Sequence, residues 1–168
     1  MEARIATALC LVIASALCGK ALADGVRRRA KTLEAILEGL RILRVHMIIL
    51  FEPVRDALQR SECPIMVRVA EHMSNGTSAA DAWTRAARQA SRRGGEIDAL
   101  SREDRTVLDE LFSHLGESGR EEQEAMLNMA IESVEAQREG ALNKAREADK
   151  LYLPLGLLTG LMLALVVI

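Results

Sequence analysis

The residue types that most often hold metal ions or act as nucleophiles are few and scattered in this sequence. The three histidines fall on three different predicted helices, and none has a cysteine, histidine or glutamate at metal-ligand spacing. They are His46, His72 and His114. Cys10 and Cys18 share one apolar segment and Cys63 stands alone, a pattern that is neither a disulfide framework nor a metal site. We therefore predict no bound metal, and small apolar roles for the cysteines.

The nearest approach to a phosphate-binding loop is the segment Gly116-Glu117-Ser118-Gly119. It is short and lacks the Lys-Ser/Thr pair that completes a P-loop. The carboxylates that follow, Glu121, Glu122 and Glu124, are typical of the first turn of a helix, where negative charge suits the helix dipole. No Ser/His/Asp arrangement can be argued from the spacing. The sequence predicts no catalytic residues and no cofactor, and it favours an assembly role over an enzyme.

Charge is distributed unevenly along the chain, which indicates segments with different surroundings. The 168 residues have a net charge of −2, and nearly all charged residues lie between Asp24 and Lys150. In that stretch alanine, leucine, glutamate and arginine dominate, and these residues favour helix. No run alternates as a strand would. The predicted fold class is all-α, a helical bundle domain flanked by N- and C-terminal transmembrane helices.

The first apolar segment, Ile5 to Ala23, is compatible with a transmembrane helix, a cleaved signal peptide or a core helix. Its 19 residues lie at the lower end of the range that crosses a bilayer. The triplet Ala21-Leu22-Ala23 fits a signal-peptidase site. Against export, residues 27–31 carry three arginines and a lysine, and such a cluster favours the cytoplasmic side. We therefore predict that residues 1–23 are an uncleaved anchor.

The last apolar segment, residues 151–168, predicts a second transmembrane helix. At about 1.5 Å per residue it is just long enough to cross the hydrocarbon. Lys144, Arg146 and Lys150 precede it, so positive charge lies on the inner flank of both anchors. The positive-inside rule then places residues 24–150 in the cytoplasm. Basic residues beside a membrane favour contact with lipid headgroups, and we predict no nucleic-acid binding.

Small residues recur at four-residue spacing inside both predicted anchors. Gly156 and Gly160 form a G-x-x-x-G motif, which lets membrane helices approach closely. The first anchor has a similar ridge of Ala6, Cys10, Ala14 and Cys18. These residues are candidates for helix packing within the membrane, although such motifs also arise by chance.

The periodicity of the central domain predicts two long helices with shorter ones between them. An apolar stripe at helical spacing predicts the first long helix. It consists of Val26, Leu33, Ile36, Leu37, Leu40, Leu43 and Met47. A second stripe, from Gln123 through Val134, belongs to a last helix that begins near Gly119, with Ser118 as its cap, and can run into the second anchor.

Proline, glycine and helix-capping residues divide the stretch between the two long helices. A break is expected at Glu52, before Pro53, because a residue that precedes proline avoids the α region. Short helices are then expected over Pro53 to Arg60 and from Cys63-Pro64. Capping boxes at Ser78 to Asp81 and Ser101 to Asp104 predict two more, which end near Gly94-Gly95 and Gly116.

The stretch Leu115 to Gln123 resembles the stage III sporulation protein AB family, which typically reads Leu-Gly-x-Ser-Asp-Arg-Glu-x-Gln there. Lys150-Leu151-Tyr152 and the glycine pair of the second anchor also fit the family pattern. The family pattern is also matched by the Leu100 to Leu111 segment, the Ala82-Trp83 pair, the Pro53 to Leu58 segment, and the N-terminal anchor with the basic residues that follow it. The resemblance covers nearly the whole length. Two departures are Gly119, where the family usually has aspartate, and Phe51-Glu52-Pro53-Val54, where it has Thr-Pro-Leu.

This resemblance implies a subunit of a secretion-like sporulation channel between mother cell and forespore, in the mother-cell membrane that faces the forespore. The family's soluble domain is similar to the cytoplasmic domains of platform proteins in secretion systems. The expected partners are other channel subunits and a secretion-type ATPase, stage III sporulation protein AA, with no small-molecule substrate. The implied function is a membrane platform or scaffold that docks this ATPase.

The candidate interface is the turn that carries the resemblance. Its residues are Leu115, Gly116, Ser118, Arg120, Glu121 and Gln123. The plainer interpretation is that this turn needs glycine and a cap only to connect two helices. Two other functions remain open: a membrane-tethered adaptor or sensor that dimerises through the Gln123 to Val134 stripe, and an exported helical protein with a cleaved signal peptide.

Overall fold

The computed structural model describes residues 2–73 and 76–167. In the apolar segments at the two ends of the chain, it describes the backbone and only some of the side chains. All secondary structure in these residues is helical, which confirms the predicted all-α class. The helices are α1 (Glu2–Arg44), α2 (Val54–Gln59), α3 (Pro64–Met73), α4 (Ala79–Ala90), α5 (Arg102–His114) and α6 (Arg120–Val167), with a π-helical turn, Val45–Ile49, directly after α1.

The chain forms two compact units. The terminal unit consists of Met1–Ala30 and Gly140–Ile168, and the central unit is Lys31–Glu139. Within the terminal unit the small side chains of Ala141, Ala145 and Ala148 are buried at three- and four-residue spacing, as on one face of a helix.

In the central unit α1 and α6 run antiparallel and are joined by polar contacts. Arg138 donates to Glu34 at 2.8 Å, Arg41 to Glu135 at 3.0 Å, and Arg44 to Asn128 at 2.8 Å. Residue numbers rise on α1 as they fall on α6, which defines the antiparallel register. Exposed ion pairs contribute little to stability, so the two helices are held together mainly by their apolar stripes.

The predicted stripe of α1 forms one side of the central core. Leu33, Ile36, Leu37, Leu40 and Leu43 are all buried, whereas Val26 and Met47, at its two ends, are half-buried. The stripe of α6 is buried at Gln123, Leu127, Ala130 and Val134. Between α4 and α5, the rings of the buried Trp83 and Phe112 stack with centroids 4.5 Å apart. The periodicity prediction is therefore confirmed for the central unit.

Helix α1 breaks earlier and in a different way than expected. The last turn widens into π-helix over Val45–Ile49, and the N–H of Leu50 donates to the carbonyl of Val45 at 3.1 Å. Phe51 then takes a left-handed conformation, with φ of 57°. Pro53 precedes α2 as its cap. The expectation of a break at Glu52 placed the end of the helix too late, because the chain has already turned at Phe51.

Local capping chemistry fixes most of the other helix boundaries as predicted. Ser101 and Asp104 form a complete capping box at the start of α5, and Ser78 accepts from the N–H of Asp81 at the start of α4. Pro64 is the first residue of α3. The expected cap of α6 was wrong: Gly119, not Ser118, precedes the helix and accepts the first helical hydrogen bond, from Gln123.

The two apolar ends of the sequence lie within the two longest helices. α6 continues through Pro154 as one helix, so the last predicted helix does run on into the final apolar segment. In the part of the chain that the structure describes, no helix has a stretch that is both long and apolar enough to cross a membrane.

Candidate functional site

The turn between α5 and α6 is organised by one buried side chain, Gln123. Its amide nitrogen donates to the carbonyl of His114 at 3.0 Å and to the hydroxyl of Ser118 at 2.7 Å. Its amide oxygen accepts from the N–H of Gly116 at 3.1 Å. Since these groups lie on both sides of the bend, Gln123 closes the turn and satisfies backbone groups that the helix ends leave open.

Gly116 is required at this turn by both its conformation and its surroundings. Its φ is +87°, in the region that favours glycine. A Cβ atom there would lie 3.0 Å from Cγ2 of Val54, at the start of α2. Leu115, beside it, is buried. The turn is thus packed against the segment that follows α1.

Arg120, the first residue of α6, reaches that segment directly. Its guanidinium donates to the carbonyl of Ile48 at 2.8 Å and lies 4.3 Å from the centre of the Phe51 ring. The first contact satisfies a carbonyl in the π-helical turn, and the second is a cation–π contact. Arg120 therefore fixes both the backbone and the aromatic ring of the break after α1.

This break exposes a cluster of large apolar side chains, which we call the apolar corner: Val45, Ile49, Leu50 and Phe51. Their exposed fractions are 38%, 62%, 53% and 67%. Single exposed apolar residues are common on protein surfaces, but a contiguous group in a short segment marks an interaction surface. A left-handed phenylalanine costs free energy, and such strain tends to persist where function requires the conformation.

Polar contacts hold the base of the apolar corner. The side chain of Glu52 accepts from Nδ1 of His46 at 3.0 Å and pairs with Nε of Arg60 at 3.3 Å. The N–H of Glu52 also donates to the carbonyl of His46 at 3.0 Å. Because these contacts tie the π-helical turn to the end of α2, the corner is held in one conformation.

The structure separates the six candidate interface residues into two groups. Leu115 and Gln123 are buried and Ser118 is half-buried, so these residues shape the turn, as the plainer interpretation expects. Gly116, Arg120 and Glu121 are exposed. The apolar corner was not singled out from the sequence; the exposed fractions of its side chains become visible only after folding.

The histidines, whose side chains could hold a metal ion or act in catalysis, do not come together at one site. The histidines lie on the π-helical turn, α3 and α5. In residues 2–73 and 76–167 no group of three His, Cys, Asp or Glu side chains is arranged to hold a metal ion. Burial raises the pKa of the Cys63 thiol, an effect that backbone hydrogen bonds from Met66 and Ile65 oppose. Cys63 is a packing residue, as its sequence position suggested.

Two other expectations concern helix packing. The stripe from Gln123 to Val134 is buried within the chain itself, so a dimer through this stripe would require the bundle to open. What packs against Gly156 and Gly160, the predicted membrane packing pair, lies outside what the structure describes.

The fold defines an all-helical protein in which two long terminal helices enclose four short ones in sequence order. The model of the stage III sporulation protein AB family matches residues 4–168, and the chain belongs to this family. This match confirms the resemblance carried by the Leu115 to Gln123 stretch and gives the chain a role in stage III of sporulation. No curated protein and no solved structure shows significant similarity to the chain.

Proposed function

We propose that this chain is a non-enzymatic membrane platform subunit of the sporulation channel, and that its apolar corner docks a cytosolic secretion-type ATPase, stage III sporulation protein AA. The observation that carries the proposal is the apolar corner itself. Three large apolar side chains are more than half exposed there, on backbone held by Arg120 and Glu52.

A fixed apolar surface suits docking better than a mobile one. Binding then orders few additional residues, and less of the interaction free energy is lost to conformational entropy. Aromatic and arginine side chains are also the types that most often dominate binding energy, and Phe51 and Arg120 are in contact here. Other channel subunits remain expected partners for surfaces outside the corner.

The membrane part of the proposal rests on the two apolar ends. Their basic flanks favour anchors at residues 1–23 and 151–168, with residues 24–150 in the cytoplasm of the mother cell, at the membrane that faces the forespore. Leu17, Leu158 and Met162, in the terminal unit, are each more than 60% exposed. Exposed side chains of this size are stabilised by lipid, which removes their apolar area from water.

The test replaces Phe51 by asparagine in the full chain. Asparagine tolerates the left-handed conformation that Phe51 adopts, so the backbone is preserved while the apolar ring is removed. Vesicles that carry the reconstituted chain are floated with purified stage III sporulation protein AA, and the bound ATPase is measured. We expect Phe51→Asn to weaken recruitment by about tenfold or more, a typical effect of losing a central aromatic contact.

Glu62→Asn is the matched control, because Glu62 is the other non-glycine residue with positive φ, at 58°, in the described structure. It introduces the same residue in the same conformation away from the corner, and recruitment should be unchanged. Full recruitment by Phe51→Asn, or equal loss in both variants, contradicts the docking role. Sequencing the N-terminus of the mature protein tests the anchor: a start at Asp24 would support the exported alternative instead.

A further inference from the structure

A groove between α5 and α6 forms a second surface, distinct from the apolar corner. Its floor contains Val107 and Leu111 from α5, with Met126 and Ala130 from α6, and its accessible volume is about 190 Å³. Met129 lies at its edge and is 67% exposed. Flexible, polarisable methionine side chains adapt to a partner's surface, which suits a docking groove.

Carboxylates border this groove. Glu110 of α5 lines it directly. On α6, Glu122 lies one turn before Met126 and therefore on the same side of the helix as this groove residue. Neither carboxylate has an ion pair or hydrogen bond within the described residues. The groove therefore combines an apolar floor with an uncompensated acidic border.

The central unit also carries a basic surface, which we define as Arg85, Arg88, Arg92 and Arg93. The first two lie on α4 and the others in the turn that follows it. All four are exposed, and their side chains have no recorded partner in the described part of the chain. Arginine is well suited to an acidic groove with an apolar floor, since its aliphatic stem packs on methionine while its guanidinium binds a carboxylate.

We infer that the acidic groove of one copy of this chain receives the basic surface of a second copy, so that copies associate head to tail. Charge complementarity selects this arrangement. A symmetric contact of groove with groove would place four carboxylates together, which like-charge repulsion disfavours. When the groove of one copy binds the basic surface of another, the pair still has one free groove and one free basic surface. Further copies can therefore add to form a ring or a row.

The test uses two charge-reversed forms of the full chain in detergent micelles. The groove variant is Glu110→Arg with Glu122→Arg, and the basic-surface variant is Arg88→Glu with Arg92→Glu. Sedimentation of each variant alone should show self-association weakened by about tenfold or more relative to the unaltered chain, because both partners of the contact now carry the same charge. All four positions are exposed, so the helical circular dichroism spectrum should not change.

Mixing the two variants gives the decisive result. The arginines of the groove variant then meet the glutamates of the other variant, while the two unaltered surfaces still match each other. Association should return to within about threefold of the unaltered chain, and it should weaken with salt as screened charges do. The control Glu38→Arg with Arg55→Glu alters two exposed residues elsewhere and should leave association unchanged.

If the mixture stays dissociated, or if either variant alone associates as the unaltered chain does, the head-to-tail contact is wrong. An unaltered chain that sediments as a monomer at all concentrations also overturns it. The proposal is independent of ATPase docking: Phe51→Asn should leave sedimentation unchanged, and the groove variant should still recruit the ATPase.

Discussion

Gly39 lies near the C-terminal end of α1, where that helix passes close to the start of α3. A Cβ atom at Gly39 would lie 2.5 Å from Cβ of Cys63, a distance that real side chains do not reach. The glycine thus permits a close helix contact, and its own helix propensity is unfavourable. Gly140, in α6, provides the contrast, since a Cβ atom there meets nothing within 4 Å. Two helical glycines of one chain therefore have opposite energetic roles.

The first prediction compares alanine substitutions at these two glycines. Gly39→Ala should lower the free energy of unfolding by about 1–3 kcal/mol, the usual cost of overpacking. Gly140→Ala should raise it by about 0.5–1 kcal/mol through better helix propensity. Thermal melting of the full chain in detergent, followed by circular dichroism, measures both. A shift of the same sign in both variants would contradict the close contact at Cys63.

Each element boundary in the central unit depends on a different mixture of local and distant contacts. The capping box of α5 is local, since Ser101 and Asp104 are three residues apart and need nothing else. The α5–α6 turn depends on Gln123, whose side chain reaches back as far as His114. The break after α1 depends on Arg120, which reaches the carbonyl of Ile48 across 72 residues of sequence.

The second prediction concerns the turn that Gln123 closes. Gln123→Leu keeps the volume but leaves the N–H of Gly116 and the carbonyl of His114 without their partner. The expected loss of unfolding free energy is about 1–3 kcal/mol, the net contribution of two part-buried hydrogen bonds at roughly 0.5–1.5 kcal/mol each. Gln89→Leu, at an exposed position of α4, should change it by less than about 0.5 kcal/mol. Equal melting temperatures would show that the turn does not need this network.

For the whole molecule, the proposed membrane topology decides which partners the central unit can meet, because a cytoplasmic domain meets cytosolic proteins and an exported one does not. Cys63 is the only cysteine in the sequence outside the predicted anchors. It is a poor labelling probe, because it is only 2% exposed and burial raises the pKa of its thiol. Both effects lower the supply of reactive thiolate, so Cys63 should label slowly on either side.

The third prediction therefore uses Gln59→Cys, at an exposed position of α2. A membrane-impermeant maleimide added to intact cells should leave it unlabelled, and permeabilisation should make it react, because the proposed topology, from the positive-inside rule, has this domain in the cytoplasm. The unaltered chain, with its buried Cys63, is the control and should react weakly in both conditions. Labelling of Gln59→Cys in intact cells would contradict the cytoplasmic assignment.

Sequence alone determined the helical class, the two stripes that form the core and most helix starts. These features follow from 3.6-residue periodicity and from caps that act over three residues, so they need no knowledge of the fold. The family could also be identified from sequence, because its nine-residue turn between α5 and α6 is a contiguous pattern. The cap of α6 was missed because Ser118 and Gly119 are both acceptable caps, and in the structure the hydroxyl of Ser118 accepts instead from the side chain of Gln123.

Tertiary structure decided which of these residues face solvent and which hold the chain together. Gln123 and Leu115 turn inward, whereas Leu50 and Phe51, apolar residues that a pattern assigns to a core, are exposed. The physical reason is distance along the chain. Exposure at the apolar corner depends on Arg120, 72 residues beyond Ile48, and on the π-helical turn that it stabilises. No local pattern encodes such a contact, so the surface proposed for docking became visible only in the folded chain.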